Sequence, residues 1–157
     1  MLTSNIFDLS GIEYFTNLNE LYLTDAKITT LILNTLTNLT ILDCTYNSIR
    51  TLDVTNLTNL QKLYCGGNKL TDINITPLTQ LTDFYFDENY INTLNLNQYT
   101  NLTHLGCGNN HINNLDVSSL INLTQLSCFS NGLSSLNLGT LANLTFFGKG
   151  FLAVETS

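Results

Sequence analysis

The stretch Leu39-Thr-Ile-Leu-Asp-Cys-Thr-Tyr-Asn-Ser-Ile-Arg-Thr-Leu-Asp-Val-Thr-Asn-Leu-Thr-Asn59 decides the fold, because its pattern recurs along the whole chain. Its first leucine returns every 21 residues, as Leu18, Leu39, Leu60, Leu81, Leu102, Leu123 and Leu144, with no insertion or deletion. Each is preceded by Asn or Gln: Asn17, Asn38, Asn59, Gln80, Asn101, Asn122 and Asn143. A fixed period of this size predicts a solenoid, in which each unit is one coil that buries its apolar face only by stacking on its neighbours.

With Leu39 as position 1, positions 4 and 6 are apolar in successive coils: Leu42/Cys44, Leu63/Cys65, Phe84/Phe86, Leu105/Cys107 and Leu126/Cys128. Alternation at period 2 predicts a strand with one buried face. Position 11 is always aliphatic, as in Ile28, Ile49, Leu70, Ile91, Ile112 and Leu133. Positions 14 and 16 alternate again (Leu52/Val54, Ile73/Ile75, Leu94/Leu96), which predicts a second, shorter extended segment on the opposite side. Leu36, Leu57, Leu78, Tyr99, Leu120 and Leu141 close the coil at position 19. No stretch has the 3.6-residue period of a sizeable helix, so helix should be nearly absent.

Position 9 carries Asn47, Asn68, Asn89, Asn110 and Asn131. A polar residue repeated inside an apolar pattern must have its hydrogen bonds met. A stacked asparagine ladder meets them if each amide bonds backbone groups of its own turn and of the next coil.

The length of 157 residues is that of one domain. We divide it into an N-terminal part coil or cap (1–15), the repeats (16–147) and a degenerate end (148–157). An apolar content of 43% excludes a disordered chain. The net charge of −7, with five Lys plus Arg, argues against nucleic acid and anionic membrane, which both need a basic footprint. No run approaches the roughly 18 apolar residues that would insert across a bilayer. The opening residues Met1–Asp8 lack the basic start and long apolar stretch of a signal peptide. The four cysteines, Cys44, Cys65, Cys107 and Cys128, are spaced 21, 42 and 21 apart, the repeat period and not a metal-ligand spacing. They read as a ladder of buried thiols. Disulfides Cys44–Cys65 and Cys107–Cys128 are disfavoured, since in-register parallel neighbours sit about 4.8 Å apart with parallel Cβ vectors. No metal or cofactor is implied.

The pattern L-x-x-L-x-C/L-x-x-N-x-I/L resembles the leucine-rich repeat. The cysteine at position 6 and the coil length are similar to the cysteine-ladder subclass of some internalin-type bacterial surface proteins. The segment Asp8–Leu18 is similar to the first coil of such arrays, and the resemblance covers roughly residues 6–147. It implies a right-handed horseshoe solenoid with parallel β-strands on the concave face, short extended or turn segments on the convex face and almost no helix. It also implies protein binding and an extracellular or cell-surface location. The chain departs from the pattern at its ends. Ala26 replaces the ladder Asn in the first coil, Lys149 falls at position 6 and Leu152 at position 9. Solenoid ends need a polar cap, so Phe147–Ser157 form either a short improvised cap or the point where a longer array has been cut.

The resemblance places positions 2, 3, 5, 7 and 8 on the concave face. The candidate partner-binding residues there are Tyr22, Asp43, Tyr46, Lys62, Tyr64, Asp83, Tyr85, Asp87, Glu88, His104 and Phe129. Tyr22, Tyr46, Tyr64 and Tyr85 gather over the N-terminal four coils. Tyrosines beside carboxylates suit a protein partner, although β-propensity alone also places tyrosine on strands. Six of the twelve acidic residues lie in these columns with Lys62 as the one Lys or Arg, so the face should prefer a basic partner. The convex column Ile32, Asp53, Asn74, Asn95, Asp116, Asn137 reads as a solvated face, and the Asn-x-Thr sequons as by-products of the repeat.

An enzyme would need a converging constellation. Asp83 and His104 occupy one column in adjacent coils and could form a dyad, but Cys107 points into the core and no nucleophile stands beside them. The nearest enzymatic alternative is a β-helix polysaccharide lyase or hydrolase, with Asp43, Asp83 and Asp87 as its carboxylates. The coil length and the position-9 asparagines favour the horseshoe. The reading is therefore a non-catalytic protein-binding repeat module, with a glycan-binding module on the same tyrosine surface, or a structural spacer, as the alternatives.

Overall fold

The computed structural model describes residues 9–148. Seven short strands, β1 (Glu20–Tyr22), β2 (Ile41–Asp43), β3 (Lys62–Tyr64), β4 (Asp83–Tyr85), β5 (His104–Gly106), β6 (Gln125–Ser127) and β7 (Phe146–Phe147), form one sheet. All pairs are parallel and each strand pairs with the next in sequence. The register is the repeat itself: Leu21, Leu42, Leu63, Phe84, Leu105, Leu126 and Phe147 are successive partners. This is a parallel-strand solenoid with one strand per 21-residue coil. The only helix among the described residues is one 3-10 turn, Ile12–Tyr14, entered through Gly11 at φ 95°. Among the described residues no helix is long and apolar enough to cross a membrane.

The strands are short because the chain turns at position 8. That position is left-handed in every complete coil: Asp25, Tyr46, Gly67, Glu88, Asn109 and Ser130 all have φ between 51° and 63°. The left-handed region is costly for residues with branched Cβ atoms, and none stands in this column. The inward face carries the core. Leu42, Leu63, Leu105 and Leu126 are fully buried, as are Cys44, Cys65 and Cys107 behind them. The four cysteines are unpaired. Burial pushes the Cys44 thiol up to about 12 and the Cys65 and Cys107 thiols well above their ordinary value, so they act as small apolar residues. In the coil starting at Leu81, Phe84 and Phe86 fill the corresponding space with ring centroids 4.6 Å apart. In that coil Tyr99 replaces the closing leucine and donates its hydroxyl proton to the Ile75 carbonyl at 2.7 Å.

The position-9 asparagines stitch coil to coil. Asn68 Oδ1 accepts from the Ile49 N–H (3.0 Å), and its Nδ2 donates to the carbonyls of Cys44, Cys65 and Gly66 (2.9, 3.1 and 3.2 Å). Asn47, Asn89, Asn110 and Asn131 repeat this pattern. The amides reach back to the preceding coil and not, as expected, to the next. The left-handed turn at position 8 aims the side chain that way.

The convex side carries short segments and turns, as expected. No strand forms at positions 14 and 16 among the described residues. Their side chains still alternate inward (Leu52 and Val54, Ile73 and Ile75 are buried), but two successive turns use the backbone groups locally. Leu57 N–H donates to Val54 O at 3.0 Å and Leu60 N–H to Leu57 O at 2.9 Å, and the pattern recurs in each coil. The position-15 column is exposed, yet it also shapes these turns. Asp53, Asn74, Asn95, Asp116 and Asn137 each accept the N–H two residues on, the Asx arrangement. A second asparagine ladder runs outside, where Asn38, Asn59, Asn122 and Asn143 donate to the carbonyls of Thr16, Thr37, Thr100 and Ile121 in the preceding coil.

At the N-terminal side Leu9 and Ile12 pack against the core, partly buried. At the other end Leu133, Leu136, Leu138 and Leu144 are only partly buried. Residues 1–8 and 149–157, with Lys149 and Leu152, lie outside the described residues.

Candidate functional site

Because strand side chains alternate, the outward positions 3 and 5 of β1–β6 form two columns, in each of which successive side chains are about one strand spacing apart. The rings of Tyr64 on β3 and Tyr85 on β4 meet with centroids 5.4 Å apart and planes tilted by 30°. Tyr85 has this posture because Gly106 follows it in the column: a Cβ there would lie 2.5 Å from Tyr85 Cδ1 and 2.4 Å from Asp87 Oδ2. Burial, then the Asp83 carboxylate, pushes both phenols up, Tyr85 to about 12, so both are neutral hydroxyls at physiological pH.

The carboxylates differ in what they can offer. Asp83 sits 3.4 Å from His104 Nδ1, so the two residues of the expected dyad do meet. His104 Nδ1 also lies 2.9 Å from Thr103 Oγ1, and Thr82 donates to Asp83 Oδ2 at 2.6 Å. Asp87 is largely buried and accepts the Gly108 N–H at 2.8 Å. Burial nevertheless raises it to about 6, the hydrogen bond opposing that rise. Asp43 is turned onto its own coil, accepting from the Thr45 N–H and hydroxyl at 2.9 and 2.5 Å. Lys62 forms no ion pair among the described residues, where the pairs are Lys27 with Asp25 and His104 with Asp83.

The expected gathering of four tyrosines divides. Tyr22 is 55% exposed and bonds Glu20 at 3.0 Å, separated from Tyr64 by Asp43 in its column. Tyr46 stands at the left-handed corner beyond the strand, where its ring lies over Gly67. Glu88 is at the same corner two coils on. Phe129 is exposed and packs on Phe147 at 5.3 Å. The strand face proper is therefore Tyr64, Tyr85, Asp83, His104, Lys62 and the Asp87 carboxylate.

Among solved structures, internalin C2 of Listeria monocytogenes is 32% identical, covering 91% of this chain and 78% of that one with a TM-score of 0.68. The chain belongs to the internalin-like leucine-rich repeat proteins. The functional domain of InlJ from Listeria monocytogenes, which includes a cysteine ladder, is 29% identical over 90% of this chain and 46% of its own, with a TM-score of 0.62. A leucine-rich repeat protein of Leptospira interrogans has a TM-score of 0.80 at 29% identity, over 87% of this chain and 38% of that one. This leucine-rich repeat chain thus spans less than half the length of these last two. No protein-family model matches the sequence, and no curated protein matches it.

Of the edge where this leucine-rich repeat leaves its strands, at positions 8–10, the sequence reading took Tyr46 and Glu88 and missed position 10. Tyr90 there is 51% exposed and faces His111, ring centroids 5.8 Å apart. The signal available was the position-8 column, whose lack of any β-branched residue marks a left-handed corner that turns its neighbours outward.

Proposed function

We propose that the chain is a non-catalytic protein-binding repeat module of the bacterial cell surface or exterior. Its contact surface is the strand face centred on Tyr64 and Tyr85, and its partner presents a basic patch. The observation that carries this reading is the Tyr64–Tyr85 pair, 5.4 Å between centroids. Two pre-packed aromatic rings lose little freedom on binding and supply large contact area. Asp83 and Asp87 flank them, and Lys62 is the one Lys or Arg on the strands of this face, which favours guanidinium or ammonium groups opposite. The likeness to internalins supports this reading further, the surface location included.

The test is retention from cell-surface and secreted extracts on the immobilised chain, beside Tyr64→Ala/Tyr85→Ala confirmed folded by far-UV circular dichroism. A protein held by the wild type, released by moderate salt and lost by the double variant is the expected result. Equal retention by both, or none, would make the chain a spacer.

A further inference from the structure

A second surface, distinct from the strand face, runs along the coil edge at positions 8–10. It is a groove of about 880 Å³ that reaches from Tyr46 to Gly132, within the range of small-molecule sites. It crosses five coils, so four steps of about 4.8 Å give it a length of about 19 Å. Two glycines shape it. A Cβ on Gly67 would lie 2.4 Å from the Tyr46 ring, and one on Gly132 would lie 2.0 Å from Asn113 Oδ1. Without those carbons, Tyr46 and Asn113 lie down along the solenoid and bound the two ends of the groove.

The lining has a definite chemistry. Tyr46 and Tyr90 are 44% and 51% exposed, and Tyr90 is braced by His111. Between and beside them stand Asn109, Asn113 and Ser130, exposed, whose side-chain polar atoms make no hydrogen bond among the described residues. The asparagines of the inner ladder, and Asn38, Asn59, Asn122 and Asn143 of the outer one, are committed to the backbone. Asn109 and Asn113 are not. Glu88 is the one carboxylate in the lining, and no Lys or Arg contributes. Aromatic faces with free amides and hydroxyls, in a groove with little charge, match a ligand that has apolar C–H faces and a rim of hydroxyls. A hexose ring also advances its chain by close to one coil step, so successive rings would meet the same columns of the solenoid.

We propose that this edge groove binds an uncharged oligosaccharide of about four hexose units, with Tyr90 as the central stacking platform and Asn109, Asn113 and Glu88 as hydrogen-bond partners. The site is separate from the protein-binding surface proposed above and does not depend on it.

The test is 1H–15N NMR titration of the whole chain with defined neutral tetrasaccharides: β-1,4- and α-1,4-linked glucose, β-1,4-linked N-acetylglucosamine and α-1,6-linked mannose. At least one should saturate, shifting the amides of residues 88–90, 109–113 and 130–132. Tyr90→Ala, at an exposed position that leaves the core intact, should weaken that binding at least about tenfold. Asn113→Ala should weaken it less, and Tyr64→Ala/Tyr85→Ala should leave it within about twofold. Absence of saturation by all four sugars overturns the proposal. So does saturation that survives Tyr90→Ala, or shifts that map to the strand face. A protein from the pull-down that is lost with Tyr90→Ala, with no sugar bound, would make the groove a protein contact instead.

Discussion

The coil that starts at Leu60 and the coil that starts at Leu123 carry nearly the same residues in their core columns, yet they are packed to different degrees. In the first, Leu60, Leu63, Cys65, Leu70 and Leu78 are all 0% exposed. In the second, Leu123 and Leu126 are also fully buried, but Leu133, Leu136 and Leu138 are only partly so. The difference lies in the neighbours. The first coil is sandwiched between complete coils, whereas the second is followed, within the described residues, by Leu144–Gly148 alone. A residue's burial here is a property of the stack, because a single coil has no interior of its own.

Truncating the core should break this comparison if it is wrong. Leu63→Ala should cost about 4 kcal/mol and Leu133→Ala about 1–2, since a cavity sealed on both sides collapses less than one near an open end. Equal losses in urea unfolding would mean that burial does not set the gradient. The inner ladder should show the same gradient at smaller scale. Asn68→Ala leaves the Ile49 N–H without its partner and takes one of two donors from each of the Cys44, Cys65 and Gly66 carbonyls, and should cost about 2 kcal/mol. The partly exposed Asn131→Ala should cost about 1, because water replaces what is lost. An unchanged melting temperature for Asn68→Ala would remove the ladder from the account of stability.

Asp87 sharpens the comparison with a charge. In the central coils the stack buries even a carboxylate, because Gly106 and Gly108 leave room for it. Its folded pKa rises from the usual 3.8 to about 6, so the fold favours the protonated form. Stability from this group is fully present below pH 4 and is lost as pH rises through 6. Asp87→Asn keeps an acceptor for Gly108 and should therefore stabilise by on the order of 1–2 kcal/mol at pH 8, with the gain vanishing at pH 4. A gain that is the same at both pH values would place its origin elsewhere. The smallest effect belongs to the outer ladder. Asn59→Ala removes one exposed bond, to Thr37 O at 3.0 Å, and should cost about 0.5 kcal/mol or less in thermal unfolding.

How much of this was legible in the sequence follows from which side chains the period controls. Strand register, the core columns and the thiol ladder came directly from the recurrence of Leu39, Leu42 and Cys44, since in-register stacking turns sequence period into spatial contact. Leu52/Val54 correctly gave the inward-facing side chains of the convex segment, both buried, but alternation of side chains does not decide whether backbones pair, and no strand forms there among the described residues. The direction of the asparagine ladder was invisible, being set by backbone dihedrals at Tyr46, Gly67 and Glu88. Among the candidate contact residues, Asp83 and His104 were placed together by register alone. Asp43 and Asp87 looked free in the sequence and are held by Thr45 and Gly108 in the structure. Tyr90 escaped notice because it lies outside the strand columns, where the repeat carries no instruction about exposure.

The reach of each inner asparagine, 24 residues back to a carbonyl and 19 back to an N–H, makes the coil an interchangeable cassette. Excising Leu60–Gln80 would bring Asn89 against Cys44 O and Ile49 N, groups chemically equivalent to those it bonds now. Lengthening or shortening this protein by whole coils therefore keeps the ladder's bonds at every joint, and what has to be refitted is side chains alone, as where Glu88 would take the place of Gly67 beside the Tyr46 ring.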